Sequence, residues 1–351
     1  MNKKKILIVG QGIAGSCLAL EFISNGIEVV VISEKNENSA SKIAAGLFNP
    51  LVLKKLNPGW KAYETLKAAK NFYSYWQSYW DCHFFFEQPL AKVILNKDEK
   101  REWQKKTPLL NYFASEEIIN NPCSNFWFDH EGYGIIKEAG YLNTNLFLEK
   151  TKEYLCRNNS FLEKQFSELD VDYRQDKLKY DNIIYDEIIF CQGYYSKQNL
   201  FFPEQFFKAV KGQLLTIEIP NYKSEYLISK GMYIVPTSNN LFKVGATYEW
   251  DELDENPTQK GRELLEIELK QILKTEYKIV NQLASVRPAS IDRKPILGKS
   301  KLHKNIHIFN GLGTRGVILA PWLAHHLYKS IIQESEIVLE CNISRFRNRK
   351  N

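Results

Sequence analysis

The chain opens on an alternation of apolar blocks and glycines. Residues 6–9 (ILIV) form an unbroken apolar run of strand length, and residues 27–32 form a second, β-branched one. Between them, residues 13–24 are apolar enough for a buried helix. Asn25-Gly26 is its stop signal, because glycine tolerates the left-handed conformation that ends a helix. The pattern predicts strand, helix, strand. Further along, Leu66, Ala69, Tyr73, Trp76 and Trp80 recur at helical spacing in a stretch dense with aromatic residues, which predicts an amphipathic helix facing a core. Residues 84–140 read as short strands and turns, with strands at 84–86, 92–95 and 134–136. Residues 142–155 read as a helix and 186–190 as a strand. Runs at 214–219, 233–235 and 242–244 read as strands of an antiparallel sheet. A long charged helix is expected from Thr258, its N-cap, to about Tyr277. Residues 305–309 then read as a strand and 317–332 as an apolar helix, with Pro321 near its first turn, where proline is best tolerated. There is no repeat and no low-complexity linker, so the alternation predicts two domains threaded through each other.

The first strand–helix–strand unit carries chemistry. Gly10, Gly12, Ile13, Ala14 and Gly15 lie in a G-x-G-x-x-G turn, and Glu34 sits just past the second strand. Gly10 allows the tight turn, Gly12 lets the backbone approach a pyrophosphate, and Gly15 lets the helix pack on the strand. The helix N-terminus offers free N–H groups and partial positive charge to phosphates. Glu34 accepts hydrogen bonds from ribose hydroxyls and disfavours a 2′-phosphate, which argues against NADP. Two further strands end in glycine turns, one at Gly193 and one at Gly311, Gly313 and Gly316. A nicotinamide cofactor in one such unit would not need all three turns. An extended cofactor would, and FAD fits.

Composition narrows the classes. With 351 residues, 44% hydrophobic and 25% charged, the chain reads as a soluble globular protein with ample core. The net charge of +6 is too modest to mark a nucleic-acid binder. Two basic clusters, Lys3 to Lys5 and Arg345, Arg347, Arg349, Lys350, read as solvated chain ends. Six cysteines without a C-x-x-C pair argue against a structural zinc site or a disulfide framework and suggest a reduced, cytoplasmic setting. The glycines within residues 6–24 interrupt the apolar run, so a signal peptide is not expected, and no run is long enough for a membrane span.

Taken together, these motifs resemble the FAD-dependent D-amino-acid oxidase superfamily, which includes glycine oxidase, sarcosine oxidase and the oxidase half of the bifunctional tRNA-wobble-uridine modification enzyme. The matching pieces are GQGIAG with Glu34, the AAG ending at Gly46, FCQG ending at Gly193, VGATYE around Thr247, SVRPASIDRKPILG around Arg287, and GLGTRGVILAP from Gly311. They cover nearly the whole chain. The resemblance implies an α/β fold in which a Rossmann-like FAD-binding domain is interleaved with an α+β substrate domain built on a large antiparallel sheet. The expected FAD-binding segments are 1–82, 141–210 and 285–351, and the substrate-binding segments are 83–140 and 211–284. It implies noncovalent FAD, since no cysteine stands where sarcosine oxidases attach theirs. Gly10, Gly12, Gly15 and Glu34 would hold the ADP half, with Ala45 and Gly46 near the flavin. Gly313, Thr314 and Gly316 would line the flavin's pyrimidine edge. Arg287 would meet a substrate carboxylate, with Arg315 a second cation and Tyr233 a pocket residue.

The expected reaction moves a hydride from a substrate C–H beside an amine to the flavin, with oxygen or another electron acceptor reoxidising it. No acid–base pair and no metal ligand set is apparent. Asp292 is expected to organise the turn before Pro295, and His325 and His326 to serve surface or packing roles. Tyr248 and Trp250 either line a pocket or pack in the core. The leading reading is oxidation of a small amine or amino acid, with nucleic acid not expected as the main substrate. Two alternatives stay open: an oxidase of a modified tRNA uridine, and a flavin-binding subunit without catalysis.

Overall fold

The computed structural model describes residues 4–174, 177–202, 206–238 and 240–346. Lys3, Arg347, Arg349 and Lys350 therefore lie outside the described residues. The chain divides into two compact units, each assembled from separated segments. The first holds Met1–Lys42, Asn145–Val210 and Val286–Asn351; the second holds Ile43–Thr144 and Lys211–Ser285.

In the first unit a six-stranded sheet has the order Phe161–Leu162, Glu28–Ile32, Lys5–Val9, Glu187–Phe190, Ile306–Asn310, Ile296–Lys299. The first five strands run parallel and the last is antiparallel. The glycine turns after Val9, Phe190 and Asn310 therefore leave the same edge of three neighbouring strands. The helix Ile13–Ser24 is apolar nearly all round because it is covered nearly all round. The helix Gly316–Ile332 packs along it, with Phe22 meeting Tyr328 edge-on at 5.6 Å. Gly26 ends the first helix with a φ of +72°, and its N–H donates to Ile23 O at 2.9 Å. Pro321 lies in the second turn of its helix rather than the first, because that helix begins at Gly316.

The second unit is built on an eight-stranded sheet. Its order is Lys278–Arg287, Val210–Glu218, Leu241–Gly245, Met232–Ser238, Leu227–Lys230, Leu90–Ile94, Gly132–Ile136, Ala114–Ile119. The sheet is largely antiparallel, but Leu227–Lys230 runs parallel to Leu90–Ile94. That seam is where the two chain segments of the unit meet, so no hairpin dictates the direction. One face buries Ala91, Ile217, Ile234, Phe242 and Val244 against Leu265, Leu269 and Trp127. Burial of each of the Val, Leu, Ile and Phe side chains among them contributes about 1.5–3 kcal/mol.

Three local expectations change. The charged helix after Thr258 is only Gln259–Leu269; Lys278 already begins a strand. Thr258 does cap it, accepting from Gly261 N at 3.1 Å. Residues 84–140 include an unexpected helix, Lys97–Lys106, whose single apolar residue, Trp103, leaves no periodic stripe to read. It is held by its Asn96 cap and by Trp103 lying over Gly134, where an added Cβ would sit 2.6 Å from the indole. Residues 43–82, grouped with the FAD-binding segments in the sequence reading, fall in the second unit. There Leu47–Phe48 pairs with Gly140–Leu142, and Tyr73 of the helix Ala62–Tyr79 stacks on Phe85 at 5.2 Å.

The basic ends are not simply solvated. Lys4 pairs with Glu187 at 2.8 Å, and Arg345 is only 14% exposed against Asp292. No described helix is long and apolar enough to cross a membrane.

Candidate functional site

The first glycine turn is built by close approach. Gly10 has a φ of +102°, and a Cβ there would lie 2.6 Å from Cys191 O. Gly15 is tighter still, since its Cβ would fall 1.9 Å from Gly10 O. Any side chain at Gly15 would push the helix off the strand. Gly12 is different in kind. Its φ is −82°, and a Cβ would meet only Ser41, with Oγ at 3.0 Å. Gly12 is the N-cap and supplies no side-chain cap. Ser41 Oγ, from the short helix Ala40–Ile43, instead accepts from Ile13 N at 3.0 Å, a contact hidden in the sequence because Ser41 lies in a polar stretch nearly thirty residues on. Ala14 is buried in the helix packing, and the Glu34 side chain is exposed beyond the strand Glu28–Ile32.

The other two turns meet the segment that carries Arg287. Gly193 has a φ of +57° and lies 4.0 Å, from its would-be Cβ, to Pro288. Buried Asn310 ties it down, donating to Gly193 O at 2.8 Å and to Ser196 Oγ at 2.7 Å. Gly311 and Gly313 have φ of +74° and +54°, in the left-handed region that glycine adopts most readily. Gly313 N donates to Pro288 O at 3.2 Å, and Ala289 bridges Leu312. Arg287, half-buried, therefore leaves the chain immediately beside the turn that holds Gly313 and the exposed Thr314. Arg315 is the N-cap residue of Gly316–Ile332. A Cβ on Gly316 would sit 3.1 Å from Ile13 Cγ2, so the N-termini of the two long helices converge.

Asp292 braces this junction. Its carboxylate accepts from Ser290 Oγ at 3.0 Å, from Lys294 N at 3.2 Å, and from Arg345 Nε at 2.8 Å. Burial pushes the carboxyl up, but the Arg345 guanidinium and the Lys294 N–H outweigh it and hold it at about 2. The expected turn-organising role is what the contacts show, with Arg345 as the partner that sequence order conceals. His325 Nδ1 lies 2.9 Å from Glu21, and His326 packs on Trp322 at 3.7 Å, both outside this edge.

The second unit holds the remaining candidates. Gly46 has a φ of +77°, and its would-be Cβ falls 1.9 Å from Leu142 O, so the turn after Ala45 admits only glycine. Tyr233 stands opposite Gly245, and Val235 opposite Lys243. Their neighbours Ile234, Phe242 and Val244 fill the core, so Tyr233 and Lys243 project from the other face of the sheet. Lys243 Nζ donates to Ala44 O at 2.8 Å, directly before Ala45-Gly46. Burial lowers its ammonium to about 8. Sequence reading missed Lys243, because a lysine alternating with apolar residues ordinarily marks a solvated face.

These features fit an extended anionic cofactor: two convergent helix N-termini and glycines where a Cβ would collide. Comparison with known proteins points the same way. A family model described as FAD dependent oxidoreductase matches residues 5–329. The tRNA 5-methylaminomethyl-2-thiouridine biosynthesis bifunctional protein MnmC of Idiomarina loihiensis is 24% identical over 377 residues, covering 99% of this chain but 59% of that protein. The bifunctional protein ThiO/ThiG of a Nostoc species is 23% identical, covering 99% of this chain and 55% of that protein. The chain thus spans less than two thirds of these relatives. Among solved structures, iminodiacetate oxidase from Chelativorans sp. BNC1 superposes with a TM-score of 0.82 at 17% identity, over 95% of this chain and 97% of that one.

Proposed function

Because the chain belongs to the family of FAD-dependent oxidoreductases, we propose that it oxidises the C–N bond of a small amine or amino acid, with Arg287 receiving a substrate carboxylate. The observation that carries this reading is the junction at Gly313, whose N–H donates to Pro288 O at 3.2 Å. It ties the arginine-bearing segment to the glycine turn that would face the flavin. Bound FAD supplies an acceptor for the hydride that leaves the carbon next to the substrate nitrogen.

The chain's own residues supply position and charge. Gly10, Gly12 and Gly15 admit the pyrophosphate to the first helix N-terminus, and Glu34 accepts from the ribose. The N–H groups of Thr314 and Gly316, at the start of Gly316–Ile332, favour negative charge gathering beside them. The Arg287 guanidinium offers two coplanar donors, which match a carboxylate bidentately and fix the reacting carbon. Arg315 adds a second cation, and Tyr233 would shape the substrate side. Ala45 and Gly46 would lie near the flavin. Oxygen or another acceptor completes the cycle.

A second reading, oxidation of a modified tRNA uridine, draws support from the name of the MnmC relative. Anaerobic mixing of the FAD-loaded protein with D- and L-amino acids, N-methyl amino acids and total tRNA separates the two. Bleaching of the flavin by a carboxylate-bearing amine, with tRNA silent, is the expected outcome. Bleaching by tRNA alone, with steeply salt-dependent binding, favours the second reading. Bleaching by none of them would leave a flavin-binding subunit.

A further inference from the structure

Residues 247–258 make an unusual surface in the second unit. They are fastened from beneath by two fully buried polar side chains, Lys211 and Gln213. Gln213 Nε2 donates to Glu249 at 2.6 Å and to Thr258 Oγ1 at 2.8 Å, and its main-chain N donates to Thr247 Oγ1 at 3.0 Å. Lys211 Nζ donates to Asp254 at 2.6 Å. Gly261 keeps room for this arrangement, since a Cβ there would lie 2.3 Å from the Gln213 amide. The base is well satisfied, as buried polar groups must be.

The alternation of an extended segment then decides what faces water. Thr247 and Glu249 point into the base, while Tyr248 and Trp250 are 51% and 54% exposed. Their rings lie 6.3 Å apart and within 25° of parallel. Single exposed aromatics are common; here two stand side by side on an anchored segment. The segment itself is acidic. Residues 247–258 contain five carboxylates and no lysine or arginine. Glu249 and Asp254 are engaged with Gln213 and Lys211; of the other three, Glu255 is half-buried, and Asp251 and Glu252, both exposed, follow Trp250 directly in the chain.

We infer that Tyr248 and Trp250, with Asp251 and Glu252, bind the ammonium group of a small amine. Aromatic faces attract a cation within about 6 Å of the ring centroid, and the carboxylates supply long-range attraction of the same sense. The same carboxylates repel phosphate, which removes nucleic acid as the occupant. Two half-exposed rings offer roughly 200 Å² together, far below the roughly 800 Å² a side of a stable protein interface. A gap of 6.3 Å is too narrow for a ring to slide between them, so the ligand caps the pair rather than intercalating. The site stands whether or not the flavin reaction consumes an amine.

Calorimetric titration of the FAD-loaded protein with choline, against its neutral isostere 3,3-dimethylbutan-1-ol, tests this without any turnover. Choline lacks the carboxylate that Arg287 would read. Choline is expected to bind with millimolar affinity, and the isostere at least about tenfold more weakly. Trp250→Leu should weaken choline binding about two- to fivefold, and Trp250→Phe less. Asp251→Asn with Glu252→Gln should weaken it and flatten its salt dependence. Melting temperatures should stay unchanged, because all four side chains are exposed. Equal binding of choline and its isostere, full affinity in Trp250→Leu, or no choline binding by the wild type at about 50 mM would overturn the site.

Discussion

Arg345 should hold the Arg287 segment in place from the far end of the chain. Its guanidinium grips Asp292 twice, Nε to Oδ2 at 2.8 Å and Nη2 to Oδ1 at 3.1 Å, and Nη2 also donates to Lys294 O at 3.1 Å. The two side chains are 14% and 18% exposed, so water screens the pair poorly. Asp292 titrates at about 2 instead of 3.8. That difference corresponds to about 2 kcal/mol, at about 1.36 kcal/mol per tenfold. Arg345→Met keeps the apolar length and removes the donors. It should destabilise the first unit by about 2–4 kcal/mol, because the lost attraction is joined by the cost of a buried carboxylate without its cation. Adding Asp292→Asn removes that charge while leaving an oxygen for Ser290 and Lys294 N, so the double variant should recover at least about 1 kcal/mol. The pH dependence has a definite sign. A carboxyl lowered by folding stabilises above its unfolded value of about 4, and that stabilisation is lost as pH falls toward about 2. Urea unfolding of the FAD-loaded protein, followed by tryptophan fluorescence and flavin release between about pH 7 and pH 3, measures both effects. An Arg345→Met variant within about 0.5 kcal/mol of wild type, with an unchanged acid limb, would refute the bracing role.

Four further outcomes follow from particular contacts. Arg287→Met should cost about 1.5–3 kcal/mol in binding of carboxylate-bearing amines, roughly 10- to 150-fold, with FAD content unchanged; a clear loss of stability instead would assign the arginine to an internal ion pair. Glu34→Ala should weaken FAD retention by about 1.5–3 kcal/mol without lowering apoprotein stability, and equal retention would remove the ribose role. Gly15→Ala, whose methyl would lie 1.9 Å from Gly10 O, should abolish FAD retention and lower the yield of folded protein; a variant with normal flavin content would mean that the turn can open. Lys243 titrates at about 8 instead of 10.5, so the wild type should gain stability as pH rises from about 8 to 10, where the unfolded chain holds the extra proton. Lys243→Met should erase that rise and stabilise by about 1–3 kcal/mol at pH 7, which thermal unfolding across that range would check.

What the sequence determined by itself is what local rules govern. The opening strand, helix and strand follow from an apolar run, a glycine turn and a glycine stop, each within reach of its own neighbours. The same holds for the Thr258 cap and for the glycine turn at residues 311–316. Family membership was legible too, because its motifs are backbone requirements written as glycines at fixed spacing. Tertiary structure decided the pairings between distant segments. Arg345 read as a solvated end, since nothing nearby in sequence shows that Asp292 waits for it. Lys243 read as an ordinary strand lysine, since its desolvation depends on the Ala44 carbonyl, which a separate segment brings up to it. Lys97–Lys106 escaped notice because one tryptophan, not a stripe, holds it to the sheet. Tyr248 and Trp250, read as lining a pocket or packing in the core, do not pack in the core but face water, because the buried Lys211 and Gln213 that turn them outward lie more than thirty residues earlier. Side-chain chemistry is chosen locally, but burial and partnership are set by contacts whose sequence separation leaves no periodic trace.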